Sequence, residues 1–249
     1  MQKICESKKC YGCGACCVVC PKNAISMKEN TVTGHFRPSI DQEKCVDCGL
    51  CRMRCPANSE YQYKDNTVTY AAYRADPAKQ NGSSSGGAAA AFYELAIDKG
   101  WAIVGTTMEP DFKVAMKLSC DKQMIERFKG SKYVQAYAVD ALNQVKDVLK
   151  EGKNVLFIGT PCECEAARSV AADNVERLLT VDLICHGVPS DKILKDYIKW
   201  VEEKKKAKVQ KISFRSSWGV EMILSDGRKD IWHRRMWCDP YLEAFNSGM

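Results

Sequence analysis

Eight cysteines near the front of the chain stand in two copies of one pattern. The first copy is Cys10, Cys13, Cys16 and Cys20, followed by Pro21; the second is Cys45, Cys48, Cys51 and Cys55, followed by Pro56. Each reads C-x2-C-x2-C-x3-C-P, the spacing that holds [4Fe–4S] clusters in pairs. A compact cube of iron and sulfide needs four thiolates. Two intervening residues let three successive cysteines converge from one tight loop, while the fourth, already turned into a short helix, serves the other cube. The expected ligands are therefore Cys10, Cys13, Cys16 and Cys55 for cluster 1, and Cys45, Cys48, Cys51 and Cys20 for cluster 2. Gly12, Gly14 and Gly49 free the backbone to wrap the sulfides, and Pro21 and Pro56 limit it after the crossing cysteines. A pair of zinc ribbons is the competing reading. Zinc sites supply two C-x2-C pairs across a longer loop and have no use for a third cysteine two residues on.

The elements that must position these cysteines follow from the repeat. The copies are offset by 35 residues, so residues 1–60 read as a duplicated module of bacterial-ferredoxin type. The insert between the copies offers two strands, Ala24–Lys28 and Phe36–Ile40, with a turn at Asn30; that hairpin would cover one side of the clusters. Cys5 and Cys17 lie outside the pattern, and Cys17 reads as a packing residue. Residues 61–87 form a connector. Tyr61–Lys64 and Thr67–Tyr73 have strand composition, and Asp76–Gly87 has the composition of a flexible linker. Its Ser/Gly end feeds a helix, Ala88–Lys99, and a loop of that kind offers free N–H groups and a positive dipole end to a phosphate.

From Trp101 the pattern alternates. Strands are expected at Trp101–Thr106, Phe112–Leu118 and Asn154–Ile158, with another buried strand at Leu178–Ile184. Helices are expected at Lys122–Lys129, Ala138–Lys150 and Asp191–Lys206, and Gly159–Cys162 opens another that runs through Arg168. Three antiparallel strands follow, at Val209–Phe214, Val220–Ser225 and Lys229–Trp237. The fold class is thus α+β to α/β: a bacterial-ferredoxin-like module followed by an α/β domain with a mixed sheet. Two strand-to-helix loops, Gly159–Cys162 and Cys185–Ser190, stand where ligands bind in open α/β sheets. Each carries a cysteine, and a helix N-terminus is expected to lower the pKa of such a thiol. No G-x-G-x-x-G run and no P-loop occurs.

Composition excludes little else. The 249 residues suffice for one sizeable domain and a small one. A net charge of +6 suits an acidic redox partner or an anionic cofactor as well as it suits a solvated basic face. No nucleic-acid motif accompanies it. No apolar run reaches the length of a membrane span, so direct membrane insertion is not expected. Thiolate-held clusters point to a reducing cytoplasm.

Four short segments carry a family resemblance: Ser83–Gly87, Gly130–Gln135, Gly159–Cys162 and Cys185–Ser190. In this order, behind the cluster module, the chain resembles the family of coenzyme F-420 hydrogenase/dehydrogenase beta subunits in its bacterial form. The resemblance implies an iron–sulfur flavoprotein oxidoreductase. Two [4Fe–4S] clusters would exchange electrons with a bound flavin, FAD, and the flavin with a substrate, a deazaflavin or a redox partner protein. It implies a flavin pocket drawn from Ser84, Ser85, Gly86, Gly87, Ser131, Lys132, Tyr133, Thr160 and Cys162. Lys132 would neutralise a phosphate or the reduced ring, and His186 would either deliver a proton or hydrogen-bond its own turn. Cys162 and Cys185 have three readings: ligands of a third [4Fe–4S] cluster, catalytic thiols, or structural cysteines. Relatives continue with a further C-x-x-C segment, whereas this chain stops at Asn246-Ser247-Gly248-Met249, so residues 88–249 read as a flavin domain whose end is incomplete. A different class stays open: a non-catalytic ferredoxin-type carrier fused to a docking domain.

Overall fold

The computed structural model describes residues 3–59, 68–185, 187–216, 219–231 and 241–242. The cysteine module opens with a 3-10 turn, Ser7–Lys9, and helix α1 (Ala15–Val19). Strands β1 (Ile25–Glu29) and β2 (Phe36–Ile40) pair antiparallel. Asn30 Oδ1 accepts the N–H groups of Val32 and Thr33 at 3.0 and 2.9 Å, and this side-chain turn reverses the chain between the strands. Helix α2 (Leu50–Met53) and a 3-10 turn, Pro56–Asn58, close the module.

The connector differs from expectation in two ways. Tyr61–Lys64 lies outside the described residues. Val68–Tyr73 is not a strand: Val68, Tyr70 and Tyr73 are 60, 83 and 80% exposed, so their β-favouring side chains have no surface to pack on. The stretch read as a linker instead holds a one-turn helix, α3 (Pro77–Gln80), capped by the Asp76 carboxylate on the Ala78 N–H at 2.9 Å.

The body that follows is built on a mixed four-stranded sheet. Helix α4 (Ala88–Asp98) leads into β3 (Ala102–Met108) and β4 (Val114–Ser119), which pair antiparallel. After α5 (Met124–Phe128) and α6 (Val139–Lys150), β5 (Val155–Gly159) runs parallel to β3. Helix α7 (Pro161–Ala171) and a 3-10 turn, Ala172–Arg177, lead to β6 (Leu178–Asp182), parallel to β5. The spatial order is β4-β3-β5-β6. Strand β5 is buried along its whole length because helices cover both faces. Val155 and Phe157 meet α6 and α7; Leu156 and Ile158 meet α4 and α5. Strand β6, expected to be buried, is an edge strand. It has one neighbour, Leu179 is half exposed, and Leu183 and Ile184 beyond it are exposed.

Helix α8 (Asp191–Lys205) covers an antiparallel sheet of β7 (Val209–Ser216), β8 (Gly219–Leu224) and β9 (Lys229–Ile231). Leu194, Tyr197 and Val201 pack on Ile212, Phe214, Met222 and Tyr241. The continuation of β9 to Trp237 lies outside the described residues.

The cysteine module shares a core with this body. Ala15 and Val18 of α1 sit among Leu142 and Val145 of α6 and Ala167 of α7. Lys146 Nζ donates to the Val18 carbonyl at 3.3 Å, and Ser169 Oγ to that of Arg54 at 2.6 Å. Among the described residues, no helix is long and apolar enough to cross a membrane.

Candidate functional site

The two cysteine sets surround two cavities. Cys20, Cys45, Cys48 and Cys51 line one, with Ile25, Ile40 and Val46. Cys10, Cys13, Cys16 and Cys55 line the other, with Ile4, Met27 and Pro38. Each cavity takes three sulfurs from one copy of the pattern and one from the other. Local conformation produces this crossing. Gly14 and Gly49, at φ +83° and +75°, turn the chain into α1 and α2. Cys20 and Cys55 then leave those helices in extended conformation, at ψ 113° and 121°, which carries each sulfur toward the opposite loop. The Arg37 guanidinium donates to the Cys10 carbonyl and pins the first loop. Among the described residues, no three Cys, His, Asp or Glu side chains close on the single point that one metal ion would occupy. Each set of four instead lines one cavity.

Burial and crowding disfavour the free thiolate in these cavities. Burial raises the Cys13 thiol, opposed by the Ala15 N–H and reinforced by Cys162, Cys16 and Cys55. Burial likewise raises Cys51, with Cys16, Cys20 and Cys48 adding to it. Cys16 is raised first by its hydrogen bond with Cys17 and then by burial. Thiols crowded in this way stay protonated by themselves, and metal coordination is what deprotonates them. Backbone N–H groups already aim at the sulfurs: Ala24 N–H donates to Cys20 Sγ at 3.3 Å. Such bonds favour a thiolate and tune the potential of a bound cluster.

Cys13 also feels Cys162, at the head of α7, and Cys162 in turn feels Cys185. The loop after β5 therefore stands behind the first cavity. Thr160 and Glu163 form a capping box there. The Thr160 N–H donates to Glu163 Oε2 at 2.8 Å, and Thr160 Oγ1 lies 3.3 Å from Cys162 Sγ. Cys162 departs from expectation. Burial pushes its thiol up to about 11, with the Glu163 carboxylate adding to the rise, so these outweigh the helix N-terminus. Cys185 is exposed and accepts the Gly187 N–H at 3.4 Å. Cys164 is fully buried, its thiol 3.7 Å from the Gly159 carbonyl and 3.6 Å from that of Val181. His186 lies outside the described residues.

The Ser/Gly loop and the Gly130–Gln135 segment meet. Ser84 Oγ accepts the Ser131 N–H at 2.6 Å and lies 2.9 Å from Ser131 Oγ. Lys132 turns the other way. Its ammonium donates to the carbonyls of Arg127, Phe128 and Lys129 at 2.9, 3.2 and 2.8 Å, capping the end of α5. Burial, helped by Arg127, lowers its pKa to about 8. Tyr133 packs its ring on Phe214, and its carbonyl accepts the Tyr241 hydroxyl at 2.5 Å. Gly87 begins α4 in left-handed conformation, φ +80°, with no side-chain cap on the first turn. Beside it the Ser83 hydroxyl oxygen is buried without a partner among the described residues. Ser85 is exposed at the loop tip, and a Cβ on Gly86 would lie 2.5 Å from the Ala72 carbonyl oxygen.

Three residues of this site escaped the motif reading. Arg74, inside the connector, forms a two-pronged ion pair with Glu94 of α4 at 3.1 and 2.7 Å, and its N–H donates to the Gly86 carbonyl at 2.8 Å. It clamps the Ser/Gly loop to the helix it feeds. His35 is half-buried and its Nε2 bonds the Val188 carbonyl at 2.9 Å, tying the hairpin to the Cys185–Ser190 loop. Cys5 lies on the wall of the first cavity. Only the last had a sequence signal, as a cysteine near the pattern.

Comparison with known proteins agrees with this layout. Residues 9–59 match a family described as a 4Fe-4S dicluster domain. Residues 152–241 match one described as the C terminus of the coenzyme F420 hydrogenase/dehydrogenase beta subunit. A component of the F(420)H(2) dehydrogenase of Methanosarcina mazei is 24% identical over 214 residues, 79% of this chain and 60% of that protein. The chain thus spans about three fifths of the length of the relative it matches. A chain of the F420-reducing [NiFe] hydrogenase complex from Methanosarcina barkeri superposes with a TM-score of 0.49 at 17% identity, over 64% of this chain and 57% of that one.

Proposed function

We propose that the chain, whose residues 9–59 match a 4Fe-4S dicluster domain and residues 152–241 the C terminus of the coenzyme F420 hydrogenase/dehydrogenase beta subunit, is an iron–sulfur flavoprotein oxidoreductase, or the electron-input subunit of one. One observation carries the reading: Cys13, on the wall of the cavity ringed by Cys10, Cys13, Cys16 and Cys55, packs on the core that holds Cys164 and Ala167 of α7, the helix that follows β5. In this reading Cys10, Cys13, Cys16 and Cys55 hold one cluster, and Cys45, Cys48, Cys51 and Cys20 hold the other. Bound clusters supply single-electron transfer, and a bound flavin supplies hydride chemistry.

The protein's own contribution is placement and insulation. Ile4, Ile25, Met27 and Ile40 keep water from the sulfurs, and the N–H groups of Ala15 and Ala24 stabilise their charge. The uncapped first turn of α4 and the unpartnered Ser83 hydroxyl suit the phosphates of FAD. Ser84 and Ser131 join the two loops at that point. With its three donors on carbonyls, Lys132 acts as a fixed cation and as the clamp of its loop. The electron partner is a redox protein or a deazaflavin-like small molecule, and the setting is the cytoplasm.

Anaerobic purification with iron, acid-labile sulfide and flavin counted together tests the proposal. About eight irons, about eight sulfides and one flavin per chain are expected. Clusters without flavin would establish the alternative, a ferredoxin-type carrier on a docking domain. Colourless protein with stoichiometric zinc would sink both.

A further inference from the structure

Cys5 precedes the repeated pattern, yet it belongs to the wall of the first cavity with Cys10, Cys13, Cys16 and Cys55. Its side chain packs against the hydrophobic cluster that holds Cys16 and Cys55, and its thiol feels those of Cys55 and Cys10. The position is held from below. Asn58 Nδ2 donates to the Ile4 carbonyl at 2.9 Å and to the Arg52 carbonyl at 2.8 Å, fastening the segment before Cys5 to the turn that carries Cys55. Ile4 itself is 7% exposed, packed with Cys16, Cys55 and Ile25. The other cysteine outside the pattern behaves differently. Cys17 is the more buried of the two, at 8% exposed, and forms no part of either cavity wall. The second cavity has four cysteines on its wall and the first has five.

We infer that Cys5 is a reserve ligand of the cluster held in the first cavity, placed to take over the iron bound by Cys55 or Cys10. The inference rests on the cluster reading proposed above. Thiols on the wall of one cavity can reach the same iron by a change of side-chain rotamer, with the backbone in place. The exchange balances without oxidation or reduction. With a cluster bound, Cys5 would replace Cys55 on one iron, and the proton given up by Cys5 would end on the freed Cys55 sulfur. When Cys55 is absent, that proton leaves to solvent. Thiolate is the ligand iron–sulfur clusters prefer, so a fifth cysteine here is chemically equivalent to the four it adjoins.

The test uses the full chain, purified and reconstituted without oxygen, with iron and sulfide per polypeptide and the electron paramagnetic resonance of the reduced protein as readouts. Cys55→Ala is expected to retain about eight irons, with a shifted signal for one cluster. Cys5→Ala combined with Cys55→Ala is expected to fall to about four. Cys17→Ala combined with Cys55→Ala should match Cys55→Ala alone. Cys10→Ala, with and without Cys5→Ala, is a second arm on a half-buried loop position and decides the matter if Cys55→Ala does not accumulate. Loss of half the iron in the single variants, with wild type fully loaded, would overturn the reserve role and leave the cluster reading standing. Retention of all the iron in the double variants would overturn it as well. A wild-type chain that takes up no iron would overturn the cluster reading itself.

Discussion

The Gln135 side chain binds the Phe36 backbone twice. The Phe36 N–H donates to Gln135 Oε1 at 2.7 Å, and Gln135 Nε2 donates back to the Phe36 carbonyl at 3.4 Å. The amide thus does for β2 what a neighbouring strand would do. The Gln135 N–H also donates to the Pro189 carbonyl at 2.9 Å. One residue therefore ties the hairpin of the cysteine module, the Gly130–Gln135 segment and the Cys185–Ser190 loop together. Gln135 is 7% exposed, so its partners have no water to fall back on. Gln135→Ala is expected to lower stability by about 1–3 kcal/mol, the cost of leaving both groups of Phe36 unpaired. Anaerobic thermal unfolding checks it, and an unchanged midpoint would remove Gln135 from this role.

Gly12 and Gly49 offer a matched pair. Both have positive φ, +69° and +75°. A Cβ on Gly12 would stand 2.3 Å from Gln135 Nε2 and 2.6 Å from the Phe36 carbonyl oxygen, whereas one on Gly49 would meet nothing within 4 Å. Gly49→Ala should cost only the left-handed strain, about 1–2 kcal/mol. Gly12→Ala carries the same strain and also pushes on a backbone atom that cannot step aside. It should destabilise more, and it should loosen the module from the body. Limited proteolysis and unfolding of the two variants side by side give the comparison; equal effects would show that the Gly12 contact yields at no cost.

Much of this layout is readable from residue order, for physical reasons that differ by element. The cysteine crossing follows from covalent spacing, because three residues in a tight loop and one just past a short helix leave little conformational choice. Strand β5 is legible because Val155–Ile158 is an apolar run too short for a helix. The edge position of β6 is not, since Leu178–Asp182 looks as apolar as a central strand and only the sheet order reveals the missing neighbour. Val68–Tyr73 misled for a related reason: β propensity reports a fit to a packed surface, and no surface is there. Arg74, His35 and Gln135 act on backbone groups brought near by the fold, and such pairings leave no periodic trace.

The second cavity is the more open to attack. Cys48 is exposed, and Val46 beside it is 60% exposed, whereas Cys16 and Cys55 of the first cavity are buried. Cys48→Ala should reduce iron from about eight to about four per chain, because among the described residues no spare cysteine lines that cavity. In the wild type, brief exposure to air should remove the signal of one cluster well before the other. Mass-spectrometric mapping of newly reactive cysteines should place the early loss at Cys45, Cys48 and Cys51. Early labelling of Cys10 and Cys13 instead would reverse the assignment.

Glu163 gives the protein a pH-dependent joint at the head of α7. Its carboxyl is 9% exposed, and burial raises its pKa, opposed by the hydrogen bonds from Thr160. Between the ordinary carboxylate pKa and this raised value, the folded chain holds more protons than the unfolded one, so the contribution of Glu163 to stability falls as pH rises through that window. Glu163→Gln keeps an acceptor for the Thr160 N–H and removes the titration. It should flatten this part of the profile and leave the cap intact, whereas Glu163→Ala should cost about 1–3 kcal/mol through the orphaned N–H. Hydrogen exchange of the first-turn amides of α7, followed from about pH 5 to about pH 8 under anaerobic conditions, reads the joint directly. After correction for the intrinsic exchange rate, wild type should open more readily toward the upper end and Glu163→Gln should not. Parallel profiles for the two would mean that the carboxyl is already ionised throughout, and that the cap tolerates a buried charge.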